Sequence, residues 1–333
     1  MRPFLGFYWS PSEAHLDEDR AALRESGATG VVIPHRAVTP ELLAELREQG
    51  VSAAVDLAMF AGAALRDAFP GSAPIDEHGA PMGPDEWYVP LCPNDERVRA
   101  HHLSTLRELL ERHGDAIDGI WLDFIRYPMR WEVAQPRLVQ ACFCDRCLGG
   151  FLGEPGRTYT AEERRAATRA ILAEQPDAWA DWKCRRIAGL VEAIAALVRA
   201  HRPGLRLGIF ALPWRLTDHQ GAIRSIVGQD IALLGGIAGV ISPMVYHRLC
   251  YRDVAWIEEI VRDARERSPA PVLPVVQSLD QPEPLPEGEL AQALEAALSL
   301  SGQGVMIFDL RSVARSPAKV AAVRDVFRGA GRR

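Results

Sequence analysis

Along the chain, short unbroken runs of apolar residues alternate with longer stretches in which apolar positions return every three or four residues. Unbroken runs mark strands buried on both faces, and the longer spacing marks helices with one buried side. The runs predict eight strands, at Phe4–Trp9, Gly30–Pro34, Ser52–Leu57, Gly119–Ile125, Arg206–Leu212, Gly239–Tyr246, Val272–Gln277 and Gly304–Leu310, each followed by a helix. Local punctuation agrees. Thr39-Pro40-Glu41 reads as a helix cap with a first-turn proline, Gly50 as the end of that helix, and Thr160-Ala161-Glu162-Glu163 as a capping box. Eight strand–helix repeats predict an α/β fold, a (β/α)8 TIM barrel forming a single domain over residues 1–333. An open doubly wound sheet is the competitor, but no Gly-rich phosphate loop follows the first strand. Two connections exceed the short loops of compact barrels and read as insertions, at about 58–94 after the third strand and 127–160 after the fourth.

Composition leaves this picture unchanged, since 48% apolar and 25% charged residues describe an ordinary soluble globular chain. A net charge of −6 without a basic stripe argues against a nucleic-acid partner. The apolar run at the N-terminus is too short for a signal peptide and no segment is long enough to span a bilayer. A cytoplasmic location with no membrane partner is therefore expected, and a homo-oligomer is left open. A reducing compartment also favours thiols over disulfides.

That matters for Cys142-Phe143-Cys144-Asp145-Arg146-Cys147, where three thiols stand at C-x-C-x-x-C spacing, with Cys92 in a Leu-Cys-Pro-Asn-Asp turn upstream. Four sulfurs suit a closed, structural tetrahedral zinc. A disulfide or plain buried thiols are the alternatives, although a Cys142–Cys144 bridge would be strained. Both segments leave neighbouring strands at the same end, so a metal there would join two long loops. Cys184 and Cys250 read as core thiols.

In barrels, chemistry collects where strands run into the loops that follow them. Asp118-Gly-Ile-Trp-Leu-Asp-Phe-Ile-Arg-Tyr-Pro128 places Asp123 at the end of an apolar strand, followed by Arg126 and Tyr127. A carboxylate there is costly unless paired, so it is read as catalytic or as a loop-fixing partner of Arg126. Asp309 ends the eighth strand similarly, with a salt bridge to Arg311 or a helix cap as the structural alternative. Asp56 in the third strand reads as a loop anchor. Tyr8, Trp9, His35, Arg36, Trp214, Tyr246, His247 and Gln277 add aromatic and polar groups at other strand ends, with Asp218 and His219 beyond the fifth. Aromatic faces with hydrogen-bonding groups are what sugars require.

These residues resemble glycoside hydrolases along two lines. Leu91-Cys92-Pro93-Asn94-Asp95 with Cys142-x-Cys144-x-x-Cys147 resembles the zinc-binding cysteines of family 42 β-galactosidases, which implies structural zinc on Cys92, Cys142, Cys144 and Cys147. The catalytic glutamates of that family have no counterpart, since the fourth strand carries Asp123 and the seventh ends in Gln277. Asp118–Pro128, Ile241-Ser-Pro-Met-Val-Tyr246 and Pro274-Val-Val-Gln277 resemble bacterial glycoside-hydrolase-like (β/α)8 barrels with a D-x-I-x-x-D-[YF]-I-R-[YF]-P strand. That resemblance implies Asp123 as a catalytic carboxylate, with Arg126, Tyr246 and Gln277 lining a sugar subsite. The expectation is a glycoside hydrolase acting on a small carbohydrate, with Asp123 as nucleophile or charge stabiliser and Asp309 as its partner acid. Trp9, His35, Trp214 and His247 are expected to help bind substrate. A non-hydrolytic sugar-binding or decayed barrel is the rival. A carbohydrate lyase or epimerase using Tyr246 or His247 as base is a third reading.

Overall fold

Eight parallel strands close on one another in sequence order: β1 (Phe4–Tyr8), β2 (Gly30–Pro34), β3 (Ser52–Ala58), β4 (Gly119–Asp123), β5 (Arg206–Ala211), β6 (Val240–Val245), β7 (Val275–Gln277) and β8 (Gly304–Phe308). The computed structural model describes residues 3–331, so the two residues at each end of the expected 1–333 span lie outside it. Closure comes from β8 pairing with β1, from Phe4 opposite Gly304 to Tyr8 opposite Phe308. The expected TIM barrel is therefore the fold, and each of the eight strands lies on an expected apolar run, several ending a residue or two sooner, β3 ending a residue later, and β7 starting only at Val275 instead of Val272. The predicted caps form as well: Thr39 accepts from Leu42 N–H at 3.2 Å, and Thr160 and Glu163 make a reciprocal capping box. Among the described residues, no helix is long and apolar enough to cross a membrane.

Alternation along each strand decides what fills the barrel. Phe4 and Trp121 occupy its lower interior with ring centroids 6.4 Å apart, and Trp121 Nε1 donates to Ser242 Oγ at 3.0 Å. Two such rings fit because their neighbours lack side chains. A Cβ on Gly208 would stand 2.3 Å from Trp121, and one on Gly30 2.4 Å from Phe4. Tyr8, two positions beyond Gly6, comes near Phe210 and Phe308 at the C-terminal end, with ring centroids 6.4 and 5.3 Å away.

The chain after β3 carries one short helix, Ala63–Ala68, before the long helix Glu96–His113. The chain after β4 is irregular until the helix Asp145–Leu152. An isolated antiparallel bridge joins Asp76 of the first to Ala141 of the second.

Candidate active site and metal centre

The β3–β4 register sets Asp56 opposite Trp121 and Ala58 opposite Asp123. Asp56 and Asp123 are thus diagonal neighbours on adjacent strands, near enough for the Asp123 charge to bear on Asp56. Asp56 is buried. One of its oxygens accepts from the Tyr8 hydroxyl at 3.0 Å and the other has no partner. Burial, reinforced by Asp123, pushes its carboxyl well above the usual range, while the Tyr8 bond opposes the shift. Rather than anchoring a loop, as its place in the sequence suggests, Asp56 ties β1 to the barrel mouth.

Asp123 is only partly covered, and its Oδ1 accepts from Phe124 N–H at 2.7 Å. Burial raises its pKa to about 6, against the opposing effects of the Arg126 charge and the Phe124 N–H, and the nearby Glu132 raises it further. Arg126 therefore does not hold Asp123 at an ordinary carboxylate pKa. Its guanidinium is buried, donates to Met129 O at 2.6 Å and lies 5.5 Å from the Tyr88 ring and 5.3 Å from Phe124. It supports the rim from behind.

Glu132, in the loop after β4, is the acid that sequence reasoning missed. It carries no periodic or strand signal, only its place beside Trp131. Burial raises its pKa although Arg126 and Arg130 oppose it, and its charge bears on both Asp123 and Tyr246. Tyr246 tilts against Trp131 at 5.4 Å and stacks on Phe308 at 5.4 Å. Burial first, then the surrounding acids, keep the Tyr246 hydroxyl protonated, which suits a donor better than a base.

Other expected site residues are placed differently. Asp309 accepts from Ser312 N–H at 2.9 Å and caps the helix Leu310–Ala314, while Arg311 pairs with Glu18 and Asp19 instead. Trp9 is 1% exposed and turns outward, its indole N–H donating to Asp19 at 3.0 Å. The inward residue of that pair is Tyr8. Gln277 is fully buried, accepting from Leu249 N–H and donating to the carbonyls of Leu279 and Gln281, so its whole amide is spent on backbone. His247 is buried with Nε2 3.0 Å from Glu289, and burial lowers its pKa. Trp214 packs on His219 at 4.7 Å and lines a small cavity with Trp131 and Cys250. Asp218 is paired with Arg215 at 3.0 Å. His35 stays half-exposed at the end of β2, its pKa lowered mainly by desolvation.

The four cysteines come together. The sulfurs of Cys92, Cys142, Cys144 and Cys147 are buried and lie within 4.8 Å of one another, close enough to hold a metal ion. The spacings of Cys92 to Cys144, Cys92 to Cys147 and Cys144 to Cys147 are 3.7, 3.6 and 3.5 Å. A tetrahedral ion with bonds of about 2.3 Å to sulfur would set edges of about 3.8 Å. The donors around the cluster also suit thiolates. Ile75 N–H points at Cys142 Sγ, Asn94 N–H at Cys92 Sγ and Asn94 Nδ2 at Cys147 Sγ, at 3.2, 3.4 and 3.2 Å. Arg99, Arg146 and Lys183 lie close enough for the cluster's charge to act on them. Asn94 is the residue here that spacing alone did not single out. It also bonds Tyr127 and Arg186, and so knits the cluster to the helix Pro176–His201.

Neither a protein-family model nor a curated protein sequence matches the chain. Solved structures do. The glycoside hydrolase domain of PgaB (BpsB) from Bordetella bronchiseptica matches with TM-score 0.72 at 12% identity, over 98% of each chain. A catalytic mutant of Gan42B, a GH42 β-galactosidase from G. stearothermophilus, matches with TM-score 0.71 at 12% identity, over 98% of this chain and 56% of that one. A β-galactosidase from the psychrophilic Marinomonas ef1 matches with TM-score 0.69 at 13% identity, over 98% and 59%. At such identities the likeness is one of fold: the chain has a glycoside-hydrolase-like barrel and spans little more than half the length of these β-galactosidases.

Proposed function

We propose that the chain is a glycoside hydrolase whose reaction runs between Asp123 and Glu132. The observation that carries this reading is a pair of carboxyl groups of raised pKa at one barrel mouth, among the rings of Tyr246, Trp131 and Phe308. Cleaving a glycoside needs one carboxylic acid to protonate the leaving oxygen and one carboxylate to meet the positive charge that develops on the sugar. Asp123, with a pKa of about 6, is mostly ionised at neutral pH and takes the second role. Glu132, half-buried beside Trp131 and with its pKa likewise raised by burial, is assigned the first. Asp309 is a weaker choice for the acid because its carboxylate is already engaged in capping the helix Leu310–Ala314. Tyr246 donates a hydrogen bond to a sugar hydroxyl, and Asp56 with Tyr8 sets the floor beneath Asp123.

The four cysteines would hold zinc, whose contribution, with every position taken by sulfur, is to cross-link the two loops. The fold of the neighbouring glycoside hydrolases supports the class of reaction, while the residues of this chain support the roles.

The test is a screen of aryl glycosides with wild type and Asp123→Asn, with circular dichroism to check folding. Turnover in Asp123→Asn should fall by about three or more orders of magnitude, the scale on which loss of a charge-stabilising group acts. Wild-type turnover in that variant would refute the mechanism. Sugar binding without cleavage in both proteins would favour a binding barrel.

A further inference from the structure

Trp87 stands in the loop after β3 with 59% of its surface exposed. Trp9, Trp121, Trp131 and Trp179 are fully buried, and Trp87 is the most exposed tryptophan among the described residues. It is not loosely held. Its ring meets Tyr88 edge-on at 5.8 Å and Phe124 at 6.1 Å, and Tyr88 and Phe124 stack at 5.7 Å. The Arg126 guanidinium backs these last two rings and is fixed by its bond to Met129 O. Phe124 directly follows Asp123 and donates its N–H to that carboxylate. A row of rings therefore starts at the reacting carboxylate and leads outward, with Trp87 one ring beyond Phe124.

Beside the row, a groove of about 680 Å³ runs between the two long loops, with Met82, Asp85, Tyr88, Met129, Arg130 and Gln135 among its walls. Arg130 spans the loops, pairing with Asp85 at 2.9 Å and Glu86 at 2.6 Å, and so sets charged groups along one edge of the groove. Flat rings flanked by hydrogen-bonding groups match the apolar faces and hydroxyl edges of successive sugar units.

We infer that Trp87 is a stacking platform for a sugar unit beyond the one at Asp123, and that the substrate is an extended glycan chain. The inference rests on the glycosidase reading and narrows its substrate class. A site for a short glycoside would need nothing past Phe124.

Calorimetry on the full chain carrying Asp123→Asn, so that no oligomer is consumed, tests it with oligomers of galactose and of N-acetylglucosamine from monomer to hexamer. Affinity should rise with length in at least one series. Adding Trp87→Ala should remove about tenfold of that rise, the scale of one aromatic contact, with the loss confined to the longer oligomers, and Trp87→Phe should keep most of it. A length dependence that Trp87→Ala leaves unchanged overturns the platform. So does flat affinity while wild type still cleaves monomeric aryl glycosides, in which case the glycosidase reading stands alone. A Trp87-dependent rise without cleavage by wild type would support the platform and defeat hydrolysis. No binding or cleavage at any length would defeat both.

Discussion

Between Asp309 and Glu132, the surroundings of each carboxyl favour Glu132 as the proposed acid, and that choice can be tested. Glu132→Gln should slow glycosides with poor leaving groups by about 10²–10⁴ while sparing activated aryl glycosides, which depart with little protonation. Asp309→Ala should instead lower stability by about 1 kcal/mol through the lost helix cap, with no preference among leaving groups. The reverse pattern would restore Asp309 as the acid. A pH effect follows from Asp123. Its folded-state pKa of about 6 lies above its ordinary 3.8, so its contribution to stability is fully present below about pH 3.8 and is lost as pH rises through 6. Asp123→Asn should therefore gain stability relative to wild type between pH 4 and pH 7 in urea titrations at each pH; a constant difference would show that Asp123 is not desolvated. Asp123 was legible in the sequence because a carboxylate at the end of an apolar strand is conspicuous. Glu132 was not, because it sits in an irregular loop. Tyr8 and Trp9 could not be sorted because β1 is buried on both faces, and only the strand's phase decides which residue turns inward.

The two long loops bury Phe60, Leu91, Trp131 and Phe143 among others, and the cysteine cluster is where one loop meets the other. Removing the metal with a chelator, or replacing Cys144 by Ser, should lower the unfolding midpoint by roughly 5 °C or more while far-ultraviolet dichroism keeps the barrel signal. Elemental analysis of protein purified without added metal should find about one zinc per chain, and metal-free protein with an unchanged midpoint would count against the site. The cluster was readable because three of its thiols lie within six residues of one another. Its outer partners, Asn94 and Lys183, come from the turn beside Cys92 and from a helix far along the chain, and such distant meetings leave no mark in spacing. Gln277 misled for a related reason. A buried amide at a strand end looks the same in sequence whether it faces a ligand or three backbone groups.

For the whole molecule, the eightfold alternation revealed the barrel early, since every connection is local and strand order follows chain order. How the interior is filled was less evident, because the glycines that make room for Trp121 look like turn residues in sequence. Trp121→Ala should cost about 3–5 kcal/mol in urea unfolding. Trp121→Phe should cost less, losing mainly the hydrogen bond to Ser242. An alanine variant as stable as wild type would mean that the barrel collapses around the gap. The plug of Phe4 and Trp121 also makes the barrel a cul-de-sac. Nothing can thread through it, so a polymer would have to drape across the rim, and both halves of a cut chain would back out through the opening by which it came.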